Sequence, residues 1–258
     1  MKTPAAIDPS ELEVKVKRMY RAVAEDPHGP YHFEMGRGLA QRLGYPARHL
    51  DEIPDAAIES FAGVGYFFDL ADLRPGEAVL DLGSGSGMDA FIAARGVGEE
   101  GRVVGVDMTP AQLEKAERLR VAAGFHWVTF VEGRIEKLPF DDATFDVVIS
   151  NGVINLVPDK QRVFREAARV LRSGGRLTIA DIVTEIELTE QIVCNVDLWA
   201  SCIGGASQQD AYRMAIEAAG LSVERIKANH YEFISDQARR ASATYGVRST
   251  SLLAWKDR

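Results

Sequence analysis

This chain of 258 residues has few cysteines, no long apolar run and no basic run. No apolar stretch approaches the about 18 residues that a membrane-spanning helix needs, so no membrane partner is expected. The net charge of −8 is spread along the sequence, which argues against nucleic acid as a partner. The remaining composition, 46% hydrophobic and 26% charged, is typical of a globular protein.

The cysteines and the N-terminal residues bear on the compartment. Residues 1–17 lack the apolar core of a secretory signal peptide. The two cysteines are Cys194 and Cys202. If both lie on one helix, they are roughly 12 Å apart, which is too far for a disulfide. We therefore expect a cytoplasmic protein.

Strand and helix patterns alternate through the middle of the chain. Apolar, β-branched strands are predicted at residues 77–82, 102–107, 127–133, 145–150 and 176–181. Helical patterns separate them, and one is expected to begin at Thr109 with Gln112 closing a capping box. Continuous apolar strands between helices predict a parallel sheet buried on both faces, hence a doubly wound α/β fold.

The flanks differ from this core. Residues 1–72 are predicted to form an N-terminal helical cap or lid, and residues 73–184 the α/β core. Residues 185–258 are expected to complete the same domain, with a helical insertion over 185–219 and an antiparallel hairpin of residues 221–234 and 249–257.

A glycine-rich turn follows the first core strand. Asp81 ends the strand, and the turn contains Gly83, Ser84, Gly85 and Gly87. Glycines allow a tight turn and let the backbone approach a ligand closely at the start of the next helix. Asp107 ends the second strand at a spacing suited to accepting hydrogen bonds from a ribose. These features predict a nucleotide-like cofactor, either NAD or S-adenosylmethionine.

The second half of the core favours S-adenosylmethionine. Residues 133–140, 145–151 and 169–177 resemble the class I methyltransferase pattern, in which the segment after the third strand borders the adenine. The resemblance implies a Rossmann-like methyltransferase with S-adenosylmethionine as cofactor. It adds Tyr20, Met108, Ile135, Glu136 and Asn151 to the expected cofactor residues, although Tyr20 could also be an ordinary core tyrosine.

Several segments are similar to the arsenite methyltransferase family in particular: residues 107–110, 135–136, 150–160 and 199–206. In that family, cysteine thiolates hold trivalent arsenic, a soft and thiophilic centre. Here Gly152 matches the central cysteine, and Val64 matches another by a looser alignment. Only Cys202 remains at a family cysteine position. The resemblance therefore implies an intact cofactor site beside a changed acceptor site.

The acceptor site is expected to include Gly152, Asn155, Trp199, Cys202, Tyr31 and Tyr66. Purely structural roles are the alternative, because buried structural cysteines are common and core packing also explains aromatic clusters. No metal site is predicted, since Gly29 and Pro30 separate His28 from His32 and argue against a helix.

The predicted chemistry is in-line transfer of a methyl group from a sulfonium, which requires alignment and exclusion of water. No general base is identified, and the oligomeric state is not predicted. We expect a methyltransferase for a small-molecule acceptor. An arsenite methyltransferase with a reduced cysteine site and a non-catalytic cofactor-binding protein are the alternatives.

Overall fold

The computed structural model of the chain describes residues 8–193 and 203–257. Its strands are β1 (Ala78–Leu82), β2 (Arg102–Asp107), β3 (Val128–Glu132), β4 (Phe145–Asn151), β5 (Leu171–Thr184), β6 (Ser207–Gln208), β7 (Leu221–Ala228) and β8 (Arg248–Lys256). They form one sheet in the order β3-β2-β1-β4-β5-β8-β7, with β6 paired to β5. Strands β1 to β5 pair in parallel, and β8 runs antiparallel to β5 and β7. The predicted doubly wound fold is confirmed.

The helices are α1 (Pro9–Glu25), α2 (Gly36–Arg42), α3 (Ala47–Asp51), α4 (Asp55–Glu59), α5 (Phe68–Ala71), α6 (Met88–Val97), α7 (Pro110–Ala122), α8 (Lys160–Val170), α9 (Glu190–Val193), α10 (Gln209–Glu217) and α11 (Asp236–Tyr245), with a 3-10 turn at Ile154–Leu156. None of the described helices is both long and apolar enough to cross a membrane.

The sheet is covered on both faces. Val79 and Ile149 belong to one buried cluster, whereas Leu80 and Val148 belong to a second. Successive side chains of a strand point to opposite faces, so each cluster covers one face of the sheet. This arrangement explains why the core strands are continuously apolar rather than alternating.

The N-terminal region shares its hydrophobic core with the sheet. Leu39, Leu50 and Phe67 pack in the same cluster as Val79 and Ile149. The predicted boundary at residue 72 therefore does not separate two cores. Helix α1 differs, because its buried residues Leu12 and Val16 cluster with Leu156 of the 3-10 turn.

The C-terminal part departs from the predicted hairpin. Strands β7 and β8 do pair antiparallel, but β7 ends at Ala228 and helix α11 separates the two. The Ser235 hydroxyl accepts a hydrogen bond from the Ala238 amide, and Gly246 ends the helix with a φ of +62°. These are ordinary helix boundary signals, so the prediction extended the strand too far.

The predicted helical insertion is also wrong in part. Residues 207–208 form a short parallel strand beside the end of β5, and helices occupy Glu190–Val193 and Gln209–Glu217. The predicted acceptor residues Trp199 and Cys202, and also Cys194, lie outside the described residues.

Candidate active site

A cavity opens at the carboxyl ends of β1, β2 and β4, where ligands bind in open α/β sheets. Ten of the predicted cofactor residues line it: Tyr20, Asp81, Gly83, Ser84, Gly85, Asp107, Met108, Ile135, Glu136 and Asn151. Gly87 is the remaining predicted residue and is not part of the lining. It precedes helix α6, and a Cβ there would lie 2.7 Å from Phe130, so the glycine permits close packing behind the turn.

The glycine turn is held against the end of β2. The amides of Gly83 and Ser84 donate to the Val106 carbonyl at 2.7 and 3.0 Å. The Gly85 amide donates to Asp107 Oδ2 at 2.9 Å. Gly83 and Gly85 have φ angles of +71° and +52°, which side chains rarely adopt. The turn thus brings its backbone into the cavity wall beside Asp107.

Asp107 is placed to hold a diol. Its Oδ1 accepts the Thr109 amide at 2.8 Å, and its Oδ2 accepts the Gly85 amide. Burial raises the pKa of Asp107, and these hydrogen bonds oppose that effect. A carboxylate oxygen has room for more than one donor, so both oxygens retain capacity toward ribose hydroxyls in the cavity.

Two more carboxylates lie deeper in the cavity wall. Asp81 and Asp89 are both buried and both line the cavity. Burial, followed by the nearby charges of Asp89 and Asp107, raises the pKa of Asp81 well above its usual range. Burial raises the pKa of Asp89 to about 6. Among the described residues Asp81 Oδ2 has no hydrogen-bond partner. A buried, unsatisfied carboxylate oxygen fits a cationic ligand such as S-adenosylmethionine.

Gln112 does not form the predicted capping box. Thr109 begins helix α7 without a side-chain cap. The Gln112 side chain is buried in the cavity wall, where it contacts the Ser86 hydroxyl and donates to the Tyr20 carbonyl at 2.8 Å. It therefore links helix α1 to the glycine turn, a role for which the capping pattern gave no signal.

Helix α1 forms part of the cavity wall. Leu12 and Val16 pack on Leu156, with Tyr20 and Met108 against the same cluster. Glu13 on α1 pairs with Arg134, in the segment after β3, at 2.5 Å. Both of these charged residues line the cavity. A ligand in the cavity would therefore contact α1 directly.

We expect ligand binding to hold α1 closed. S-adenosylhomocysteine should therefore slow limited proteolysis within residues 26–36 severalfold, because cleavage there requires the segment after α1 to open. The matched variant Glu13→Gln, which weakens the Glu13–Arg134 pair, should be cleaved faster without ligand. Unchanged cleavage rates with and without ligand would argue against a closing α1.

Val64 and Gly152, the two positions that the resemblance aligns with family cysteines, lie together. Gly152 follows β4 with a φ of +72°, and a Cβ on it would lie 3.3 Å from Val64 Cγ1 and 3.9 Å from the Ala62 carbonyl oxygen. Val64 is buried. Gly152 thus faces Val64, and the space beside the glycine is occupied by the valine side chain rather than left open.

The other described acceptor candidates lie outside the cavity lining. The Asn155 backbone amide donates to Asp181 Oδ2 at 3.0 Å within a buried network. Tyr31 stacks on Phe33 and its hydroxyl donates to the Asp26 carbonyl. Tyr66 packs on Tyr45. Gly152 is likewise outside the lining, and none of these four residues contributes to the cavity wall.

Sequence reasoning also missed two polar residues at the site. Asp89 lies in the first turn of α6 and lines the cavity. The buried Tyr45 hydroxyl donates to Asp89 Oδ1 at 2.7 Å. Asp89 directly follows the glycine turn, so the sequence could have predicted it as a site residue. Tyr45 lies in no motif, so there was no reason in the sequence to predict it. Within residues 8–193 and 203–257, no group of three or more His, Cys, Asp or Glu residues is arranged to hold a metal ion.

The fold, the glycine turn and the acidic strand ends are those of a class I methyltransferase. Residues 73–220 match the methyltransferase domain family, and the chain belongs to that family. The cofactor of this class is S-adenosylmethionine, and the cavity residues suit it: Asp107 can hold its ribose, and Asp81 can accept from its charged end.

Among methyltransferases, the chain is similar to arsenite methyltransferases in particular. The chain is 41% identical over 214 residues to an arsenite methyltransferase from Halobacterium salinarum (strain ATCC 700922 / JCM 11081 / NRC-1), covering 82% of this chain and 54% of the relative. It is 48% identical over 184 residues to an arsenite methyltransferase from Homo sapiens, covering 65% of this chain and 49% of that protein. The chain thus spans about half the length of these curated relatives.

A solved structure agrees with these relatives. The chain superposes with a TM-score of 0.69 and 32% identity on the crystal structure of an arsenic(III) S-adenosylmethionine methyltransferase from Chlamydomonas reinhardtii. The match covers 87% of this chain and 75% of that one. The resemblance to arsenite methyltransferases therefore holds in both sequence and fold.

Proposed function

We propose that this chain transfers a methyl group from S-adenosylmethionine to a small organic acceptor instead of arsenite. The observation that carries the proposal is the contact between Val64 and Gly152. These residues match two family cysteines, yet neither can supply a thiolate. A soft metalloid centre needs several soft ligands, and a valine methyl group filling the space between the two positions offers none.

The charged side chains of the cavity wall favour an acceptor that is not an anion. Glu13, Asp81, Asp89, Asp107 and Glu136 all line it. Arg134 is the one cationic side chain among the described lining residues, and it is paired with Glu13. In a partly buried site an added negative charge would be repelled by those of these groups that are ionised, which leaves out Asp81, whose raised pKa favours the neutral acid. A neutral or cationic organic acceptor fits this electrostatic environment.

The chain's own residues provide alignment and exclusion of water. The cofactor supplies an activated methyl group when bound, so the protein must hold the two reactants in line. The Asp107 carboxylate and the glycine turn fix the nucleoside end. Leu12, Val16 and Leu156 cover the cavity with apolar surface, which keeps water from the transferring methyl group. In our proposal, this methyl transfer takes place in the reducing cytoplasm.

The arsenite methyltransferase reading remains a second candidate because of the 41% and 48% identities to such enzymes. It requires that Cys202, helped by added thiols, replace the missing ligands. Formation of S-adenosylhomocysteine separates the candidates. We expect the wild type to produce little of it with arsenite and excess glutathione, and measurable amounts with a neutral or cationic organic acceptor from a metabolite panel. Robust arsenite turnover by the wild type would overturn our proposal.

Restoring the thiols should create arsenic binding. The double variant Val64→Cys/Gly152→Cys places two thiols at adjacent positions, and we expect it to bind arsenite, measured as protection of its thiols from alkylation. The positive φ at Gly152 makes a side chain there cost about 1–2 kcal/mol of stability. Val64→Ala/Gly152→Ala is the matched control, because it carries the same strain without thiols. Equal alkylation of the Cys variant with and without arsenite would contradict the assignment of these positions.

A further inference from the structure

The segment Gly63–Gly65 is bound to the end of β4 through one side chain. Asn151 Oδ1 accepts hydrogen bonds from the amides of Val64 at 2.8 Å and Gly65 at 3.3 Å. Asn151 Nδ2 lies 3.0 Å from the Gly65 carbonyl oxygen. The amide of Asn151 therefore pairs with this segment as a neighbouring strand would, and both its oxygen and its nitrogen are engaged with protein.

Tyr45 and Asp89 orient that amide. Asn151 Nδ2 lies 3.0 Å from the Tyr45 hydroxyl oxygen and 3.0 Å from Asp89 Oδ2. The Tyr45 hydroxyl itself donates to Asp89 Oδ1 at 2.7 Å. Nδ2 thus lies among three acceptors: the Gly65 carbonyl, the Tyr45 hydroxyl and Asp89 Oδ2. Because Nδ2 is the donor of the Asn151 amide, these acceptors fix its position and leave Oδ1 facing the Val64 amide. Networks of this kind inside a protein fix a single arrangement when they are satisfied.

The segment has little freedom apart from this network. A Cβ at Gly63 would lie 2.3 Å from Phe61 Cζ and 2.7 Å from Asn151 Cγ, so the backbone packs directly on the asparagine. On its other side, the Ser249 hydroxyl donates to the Val64 carbonyl at 2.6 Å. A shift of Asn151 would therefore move the Val64 backbone.

The network also reaches the cofactor cavity. Asp89, Asn151 and Gly63 line the cavity, whereas Tyr45 and Val64 do not. A ligand in the cavity would contact Asp89 and Asn151, and Val64 lies on the side of this network that faces away from the cavity. Contiguous packing and hydrogen bonds of this kind are the routes by which two places in a protein can be coupled.

We propose that Tyr45 and Asp89 are positioning residues for methyl transfer. They orient Asn151 so that its amide holds Val64 at a fixed place relative to the bound cofactor. The importance of Val64 as the acceptor-side wall rests on the proposed function; the link between the cavity and the Val64 segment does not.

Amide hydrogen exchange with S-adenosylhomocysteine as the probe tests this link without an identified acceptor. In the wild type, the probe should slow exchange at Val64 and Gly65. In Tyr45→Phe, the network loses a buried donor and acceptor, and exchange of these amides in the bound state should rise about tenfold. The extra protection conferred by the probe should disappear there. The Kd of the probe, measured by calorimetry, should stay nearly unchanged.

Tyr212→Phe is the matched control. The Tyr212 hydroxyl donates to Asp181 Oδ2 at 2.8 Å, so this variant also removes a buried tyrosine–aspartate hydrogen bond, but outside the network. It should leave the protection of Val64 and Gly65 by the probe intact. Asp89→Asn is a second variant, because it keeps the size of the side chain and removes the carboxylate beside Asn151 Nδ2. Exchange at Val64 and Gly65 should rise in it as in Tyr45→Phe, whereas an unchanged Kd is expected only of Tyr45→Phe, because Asp89 lines the cavity.

Each other outcome overturns the inference. If Tyr45→Phe keeps the ligand-dependent protection, the network does not link the cavity to Val64. If the variant raises exchange equally with and without the probe, Tyr45 has only a structural role. If its main effect is a loss of affinity for the probe, the network serves cofactor binding. None of these results bears on arsenite turnover, which tests the proposed function separately.

Discussion

Replacing Arg176 with alanine is expected to lower the free energy of unfolding by about 3–5 kcal/mol, the usual cost of breaking a buried ion pair. Arg176 is 4% exposed at the start of the regular part of β5. Its guanidinium binds both carboxylate oxygens of Glu77 at 2.7 and 2.8 Å. It also donates to the carbonyls of Ala71 and Asp72, so its loss leaves several buried acceptors without a donor.

Arg172→Ala on the same strand is the matched control. Arg172 pairs with Asp146 at 2.6 Å, but its side chain is 47% exposed. Such exposed pairs contribute about 0–1 kcal/mol, so the variant should unfold in urea almost as the wild type does. Equal midpoints for the two variants would contradict the role assigned to Arg176. A large difference would show that the guanidinium fastens the end of α5 to the sheet.

Arg176 illustrates which part of the fold the sequence could predict. The strand containing it is predicted from a local apolar run, and β1 to β4 appear within one residue of their predicted bounds. The bounds of β5 itself were predicted wrongly, since it spans Leu171–Thr184 instead of residues 176–181. Its partners are 99 positions away in the case of Glu77, and no local pattern pairs them. Periodicity reports which face of an element is buried, but it does not report which distant polar group meets which.

The candidate site divides in the same way. Cofactor residues follow strand ends directly, so the parallel sheet brings Asp81, Asp107 and Asn151 together without further information. Tyr45 reaches Asp89 and Asn151 across 44 and 106 positions, from a segment with no motif of its own. Tyr66 was predicted from composition, which does not specify direction, and it faces Tyr45 instead of the cavity.

Gly152 shows a limit of a different kind. A glycine at a family cysteine position suggests open space, but whether the space is open depends on the neighbour. In the folded chain Val64 lies 3.3 Å from the position of the missing Cβ. The resemblance predicted both substitutions, and the fold adds that they are adjacent. The two positions therefore belong to one local site.

Asp107→Ala is expected to weaken S-adenosylmethionine binding by about 1–3 kcal/mol, or roughly fivefold to 150-fold in Kd, because it removes a charged hydrogen-bond acceptor at the predicted ribose position. The same carboxylate accepts the amides of Gly85 and Thr109, so the substitution also frees the glycine turn that shapes the cavity. Both effects act in the same direction on affinity. Calorimetry with S-adenosylmethionine, and with NAD as a ligand that should not bind, measures the change.

Asp107→Asn separates the two contributions. Asparagine keeps one oxygen that can accept a backbone amide, but its amide group cannot accept from a second donor. The variant should therefore lie between wild type and Asp107→Ala in affinity. Because burial raises the pKa of Asp107, lowering the pH should weaken binding by the wild type more than binding by Asp107→Asn, in which Asp81 and Asp89 still titrate. Equal affinity of all three proteins at neutral pH would refute the ribose assignment, since the cavity would then hold the cofactor without this carboxylate.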